Sequence, residues 1–488
     1  MSGNEMPRLA PMLIGSEWRR TFDGPTTPVV NPATEEVLAE VPAGGEREVA
    51  EAVAAAQAAF PEWSAVPAPR RAHYLFRYRA LLEEHFEELA RLITLEHGKA
   101  LDESRGSLRR GLEVVEFACG IPTLLMGETL TDISRGIDGS LIRQPLGVCA
   151  GITPFNFPGM IPLWMFPVAI ACGNTFVLKP SPRTPLTSVR LVELAREAGL
   201  PDGVINLVHG GREAVDALLT HPDVKAVSFV GSTPVAQHIY ATAAAHGKRV
   251  QALGGAKNYL TVMPDADMER TVKAVIDSAF GSTGQRCLAA SVLIAVGAAG
   301  DEIVSRLVEA ARQVRVGDGL DPETFMGPLV SREALERVTH YIELGVRDGA
   351  ELLLDGREHP RYGSGRGFFI GPTIFDRVPP ESALVRDEIF GPVLAVIRAD
   401  TLEEAIALAG RSAYGNASAI FTRDGKAART YALAVDAGMV GVNIGVPAPM
   451  AFFSFGGHRA SFFGDLRAHG KDGVHFYTAE KSITTRWF

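Results

Sequence analysis

A cysteine ends a run of small residues, Phe280-Gly281-Ser282-Thr283-Gly284-Gln285-Arg286-Cys287. Glycines let a backbone approach a ligand closely, and a thiol presented there can act as a nucleophile. The alternative is that Cys287 fills a core as a small apolar group. An unperturbed thiol, with a pKa of about 8.5, is only a few per cent ionised at pH 7, so a nucleophilic cysteine needs activation. Arg286 adjoins it, and Arg110 lies in Arg109-Arg110-Gly111-Leu112-Glu113. Guanidinium forks bind carboxylates in bidentate fashion and stay charged, although arginines on helices and turns more commonly meet only solvent. Asn156, between Pro154 and Pro158, reads by itself as a turn residue.

The remaining cysteines, Cys119, Cys149 and Cys172, form no Cys-x-x-Cys pair, and no histidine cluster has zinc-ligand spacing. Neither a disulfide framework nor a metal site is expected, and a reducing cytoplasm fits. The net charge of -9 gives no basic footprint for nucleic acid. Met1 to Gly15 has neither a signal-peptide nor a transit-peptide pattern. The longest apolar run, Met160 to Cys172, is interrupted by Pro162 and Pro167 and falls short of the roughly 18–20 residues that span a bilayer; it reads as a buried helix or turn.

A chain of 488 residues needs more than one core. Val49, Val53, Ala56 and Phe60 mark one face of a helix over Glu46 to Phe60, and Leu75 to Ile93 continue a helical stripe through Arg70 to His97, with Gly98 to stop it. From Leu146 to Ala252 short apolar runs alternate with helical stretches: Gly147 to Ile152, Thr175 to Leu178, Val204 to Val208, Ala226 to Val230 and Lys248 to Ala252. This alternation predicts a mostly parallel, doubly wound α/β sheet of the nucleotide-binding class. The Gly-x-Gly-x-x-Gly fingerprint is absent. A second α/β block follows, with strands expected at Val292 to Val296, Val393 to Arg398, Ala417 to Phe421 and Met439 to Asn443; the tail is β-prone at Val474 to Thr478 and Ser482 to Trp487.

Six motifs in order carry a family resemblance: Pro154-Phe155-Asn156-Phe157-Pro158, Leu178-Lys179-Pro180-Ser181, Phe229-Val230-Gly231-Ser232-Thr233, Gly254-Gly255-Ala256-Lys257, Gly284-Gln285-Arg286-Cys287 and Glu388-Ile389-Phe390-Gly391-Pro392. The chain resembles the aldehyde dehydrogenase superfamily nearly end to end. The resemblance implies that Cys287 is the nucleophile and that Asn156 donates its amide to the oxyanion. It implies that Thr153, Phe155, Lys179, Arg183, Ser232, Gly254 and Glu388 surround the dinucleotide, with Lys179 and Glu388 at its riboses and Ser232 at the pyrophosphate. No metal is implied.

Most of the superfamily carries Leu-Glu-Leu-Gly-Gly, whose glutamate activates water. This chain reads Val250-Gln251-Ala252-Leu253-Gly254-Gly255, and alanine cannot act as a base. The departure resembles the coenzyme A-acylating branch, that of the methylmalonate-semialdehyde dehydrogenases, as do the Arg109 to Glu116 segment, Arg286 and Gly445 to Phe453. That resemblance implies NAD as cofactor and coenzyme A as co-substrate. Arg110 and Arg286 would grip the carboxylate of methylmalonate or malonate semialdehyde, and propionyl-CoA or acetyl-CoA would be released with loss of carbon dioxide. A hydrolytic enzyme that recruits another carboxylate, such as Glu388, and a catalytically silent binding homologue are the alternatives. Pro182, where the branch has glutamate, and Arg183 leave NADP possible, and Phe455 to Ser461 departs from the branch's pattern. The implied architecture has a Rossmann-type cofactor domain (1–126 and 145–254), a catalytic domain (255–450) and a β extension (127–144 and 470–488). The extension is expected to pair subunits into a dimer of dimers.

Overall fold

The computed structural model describes residues 9–488; the first eight residues of the opening segment lie outside it. Two sheets dominate. The first has eight strands, and its centre is formed by Ile205–Leu207, Thr175–Lys179, Val148–Ile152, Val224–Val230 and Arg249–Leu253, all parallel. In chain order these five stand 3-2-1-4-5. Strand order therefore reverses between Val148–Ile152 and Val224–Val230, and such a reversal opens a crevice beyond the strands' carboxyl ends. Phe462–Phe463 joins this sheet from far along the chain, antiparallel to Arg249–Leu253.

The second sheet has seven strands, in the order Glu351–Leu354, Thr373–Asp376, Val393–Ala399, Ala290–Val296, Asn258–Val262, Ala417–Phe421 and Met439–Val442; only the first edge strand is antiparallel. Asn258–Val262 follows Arg249–Leu253 after four residues and no helix, and that short step carries the chain from one sheet to the other. A separate antiparallel sheet joins Glu128–Ser134, Ile137–Pro145 and Thr478–Arg486.

Met160–Ala171 is a helix with every residue buried. It packs on Leu101–Cys119, where Gly111 permits the approach: a Cβ there would lie 3.1 Å from the Met160 Cα. The stripe from Arg70 to His97 forms two helices instead of one, Ala68–Glu84 and Phe86–His97, broken at His85. There the imidazole engages Glu88 at 2.6 Å and turns the chain. The β-prone Val474 to Thr478 is also corrected, because Gly470–Phe476 is helical and the strand begins at Thr478. Phe476 and Tyr477 are buried in the core, and Arg249 donates to the carbonyls of His475, Phe476 and Thr478 at 2.7–2.8 Å, which finishes that helix. Among the described residues no helix is long and apolar enough to cross a membrane.

Asn174 ties the distant parts together. Fully buried, it accepts from the N–H groups of Leu146 and Gly147 and donates to the carbonyls of Ala169 and Tyr477, at 2.7–3.1 Å. Each buried group left without a partner costs about 1–3 kcal/mol. We expect Asn174→Ala to lower the thermal midpoint clearly, by roughly 2–4 kcal/mol of stability, as followed by circular dichroism; an unchanged midpoint would contradict the clamp.

Candidate active site

The nucleophile candidate sits where the two sheets meet. Helix Met268–Phe280 ends in a tight turn, Gly281–Gly284, in which Ser282 and Thr283 hold left-handed backbone angles (φ 49° and 57°). Such angles are costly for residues with side chains and persist only where surrounding structure enforces them. Here Ser282 donates to Glu103 at 3.1 Å and Thr283 to the Gly327 carbonyl at 2.8 Å. Gly284 faces the Gly391 carbonyl so closely that a side chain would collide with it. Cys287 emerges from this turn, and its carbonyl accepts amide hydrogens from Asn258 (2.9 Å) and Asn416 (2.8 Å). Its main chain is therefore fixed from the first residue of strand Asn258–Val262 and the residue just before strand Ala417–Phe421.

From the first sheet, strand Val148–Ile152 runs out through Thr153 to Asn156. The Asn156 amide nitrogen donates to the Gln285 carbonyl at 3.0 Å, two residues before the cysteine. An amide nitrogen carries two hydrogens, so one is left for a ligand. Burial and the neighbouring Glu388 carboxylate push the Cys287 thiol up to about 12, against the pull of Arg286 and of the N–H groups of Cys287 and Leu288. The resting sulfur is thus protonated, and its reactivity depends on how the charges around it are arranged.

Glu388 lies across from it. Its carboxylate accepts from the Ala256 N–H at 2.8 Å, and Gly255 leaves the room it occupies. Burial raises it to about 7, opposed by that hydrogen bond and by Lys257 and Arg337.

The other cofactor candidates gather at the carboxyl ends of the first sheet. Thr153 is buried and its hydroxyl has no partner. Phe155 stacks on His97 and meets Phe390 edge-on. Lys179 is buried with its amine on the carbonyls of Pro180 and Gly210, both at 2.9 Å, and burial lowers it to about 8. Ser232 caps the start of helix Thr233–Ala245 without using its hydroxyl there. Gly254 lies so near Ala460 that a Cβ would stand 2.7 Å from its carbonyl oxygen. Arg183 stands apart, at the surface, 3.4 Å from Glu333.

Arg110 and Arg286 both line a cavity of about 600 Å³ together with Cys287, Trp164, Phe455 and His469. Arg110 donates to the carbonyls of Ala448 and Pro449 and to Glu113, at 2.8–3.1 Å. Arg286 reaches Glu103 at 3.3 Å and the Ser278 carbonyl at 3.2 Å, and its buried Nε has no partner. The cavity therefore joins the candidate nucleophile to two fixed guanidinium groups, an arrangement suited to an aldehyde that also carries a carboxylate. Among the described residues there is no group of three or more His, Cys, Asp or Glu arranged to hold a metal.

Sequence reading missed Lys99, Glu103, His469 and the two asparagines on the Cys287 carbonyl. Lys99, which directly follows the helix-ending Gly98, and Asn258, which directly follows the Gly254 to Lys257 motif, carry a local signal; Glu103, Asn416 and His469 stand outside the six motifs and meet the site only through folding.

The profile of the aldehyde dehydrogenase family matches residues 18–483. The chain belongs to that family. A malonate-semialdehyde dehydrogenase of Geobacillus thermodenitrificans is 56% identical over 474 residues, covering 97% of this chain and 98% of that protein. Among solved structures, the methylmalonate-semialdehyde dehydrogenase of Oceanimonas doudoroffii superposes with a TM-score of 0.97 at 50% identity over 99% of both chains. A Sinorhizobium meliloti protein assigned as a methylmalonate-semialdehyde dehydrogenase, and solved in complex with NAD, gives 0.97 at 47% identity over 99% of both. The fold is that of the aldehyde dehydrogenases.

Because an ionised Glu388 raises the thiol pKa, Glu388→Gln should lower it. Without cofactor, the rate of Cys287 alkylation by iodoacetamide should rise at lower pH in the variant than in the parent; coincident profiles would show that the two groups do not interact.

Proposed function

We propose that the chain is an NAD-dependent, coenzyme A-acylating dehydrogenase of malonate or methylmalonate semialdehyde, acting through a thioester on Cys287. The observation that carries this reading is Ala252, fully buried at the end of strand Arg249–Leu253. No carboxylate stands there to activate water, so a thiol becomes the acceptor. The relatives bearing these semialdehyde names support the same substrates.

The residues fit a dinucleotide. Thr153 offers a buried hydroxyl without a partner, Ser232 a free hydroxyl at a helix start suited to phosphate, Gly254 a surface that admits close approach, and Lys179 and Glu388 groups for the ribose hydroxyls. Bound NAD supplies the oxidising equivalent. NAD is the proposed cofactor because Arg183, the group that favours a 2′-phosphate, is drawn to Glu333; NADP is the alternative.

In the reaction the Cys287 thiolate attacks the aldehyde carbon, and the new oxyanion accepts from the Asn156 amide and the Cys287 N–H. Losing one such donor typically costs about 100- to 1000-fold in rate. Oxidation leaves a malonyl or methylmalonyl thioester on Cys287. Its carboxylate, held until then by Arg110 and Arg286, departs as carbon dioxide, and the electron pair delocalises into the thioester carbonyl before a proton is taken up. The coenzyme A thiolate then attacks that carbonyl and frees the Cys287 sulfur. Glu388, near neutrality in its titration, favours the second reading, in which it acts as base for water and a free acid is released.

The exposed strand Glu128–Ser134, with Leu130 and Ile133 open to solvent, supports pairing of subunits, in a tetramer, through the three-stranded sheet, since an open apolar edge calls for cover.

The test is turnover of both semialdehydes with and without coenzyme A, and with NAD or NADP, with products identified by mass spectrometry. Acetyl-CoA or propionyl-CoA formed only with coenzyme A supports the proposal, whereas free acid as the main product overturns it. Arg110→Met should raise KM for the semialdehydes about 10- to 100-fold, the worth of a charged hydrogen bond, and leave propionaldehyde, which has no carboxylate, nearly unaffected. Equal effects on both would remove Arg110 from carboxylate binding.

A further inference from the structure

Lys99 leaves the turn between helices Phe86–His97 and Leu101–Cys119 and is wholly buried. Its Nζ donates to the main-chain carbonyl of Asn156 at 2.6 Å and lies 4.2 Å from the centre of the Phe157 ring. An ammonium group has three hydrogens, and one carbonyl with one ring face is a thin environment for a buried cation. Burial pulls the amine down to about 7, with Glu103 the main group that opposes the fall. An apolar side chain would fill this space at lower cost, so the amine itself needs an explanation.

That explanation lies in a closed circuit. The Asn156 side chain, on the residue whose carbonyl Lys99 holds, reaches Gln285. Two residues earlier, Thr283 reaches the Gly327 carbonyl. Gly327 returns to the start, for it lies directly against the Gly98 carbonyl with no room for a side chain, and Gly319 does the same at the Lys99 carbonyl. The Leu101 N–H donates to Gly319 at 2.9 Å. The turn that carries Lys99 and the turn that carries Cys287 are thus braced on one loop, and Lys99 spans from that brace to the amide beside the nucleophile.

We propose that Lys99 is a positioning residue for acyl transfer: by holding the Asn156 main chain it aims the Asn156 amide at the oxygen that becomes negative when Cys287 attacks. This rests on the proposed donor role of Asn156. The test is a double-mutant cycle on the intact enzyme, read as the rate of the first NADH formed from malonate semialdehyde and NAD after rapid mixing. Asn156→Ala should slow this step about 100- to 1000-fold and Lys99→Met roughly 10- to 100-fold, with iodoacetamide alkylation of Cys287 changed less than about twofold in Lys99→Met. Because Lys99 acts through Asn156, the double variant should be no slower than Asn156→Ala alone. Losses that multiply, or a Lys99→Met enzyme with the parent's rate, overturn the inference. A parent-like rate in Asn156→Ala overturns the donor role and the inference with it. If Lys99→Met does not fold, Lys99→Gln enters the same cycle under the same criteria.

Discussion

The Asn156 amide reaches across the cleft to the Gln285 carbonyl, and the site's geometry depends on that bond. One partner extends from the first sheet and the other from the second, 129 positions apart in the chain. Any drift of one sheet against the other would move the Asn156 amide, the proposed oxyanion donor, relative to the Cys287 sulfur, and electrostatic stabilisation of a developing charge demands donors placed in advance. The left-handed turn at Ser282 and Thr283, the two asparagines on the Cys287 carbonyl and the glycines packed against the Lys99 turn all resist such drift. The strain is local, and the hydrogen bonds that hold it come from helix Leu101–Cys119, through Glu103, and from the loop at Gly327.

Charge around the sulfur follows from the same placement. A buried thiol resists ionisation, and here Glu388 adds to that resistance while Arg286 and nearby N–H groups oppose it. Glu388 is itself raised to about 7, so small changes in its contacts alter both groups together. Arg286 is shared between Glu103 and the cavity wall, which fixes its position. Burial thus makes the site sensitive to the charges within it.

Much of this was legible in the sequence where local pattern and final structure coincide. The five runs between Gly147 and Ala252 became the five central strands of the first sheet because each is apolar enough to be buried on both faces. Cys287, Asn156, Arg110 and Arg286 were marked by type and motif, and folding brings them to one cleft. Asn258–Val262 escaped notice because only four residues separate it from the preceding strand, so two strands of different sheets look like one broken run. His85 broke a helix whose apolar stripe continues past it, and Val474 to Phe476 became helical through burial of Phe476 and Tyr477 and the reach of Arg249. Glu103 meets Ser282 and Arg286, and His469 meets Trp164, across more than a hundred residues, which no local pattern can express.

The central claim is that the thioester on Cys287 waits for a thiol because residue 252 offers no base. It is tested most directly by mixing enzyme, NAD and malonate semialdehyde rapidly without coenzyme A, following NADH and the intact mass of the protein. The account predicts a burst of NADH matching the subunits present, a persistent acyl adduct on Cys287, and turnover only after coenzyme A is added. Steady NADH production from the first moment, with free acid and no adduct, would contradict it.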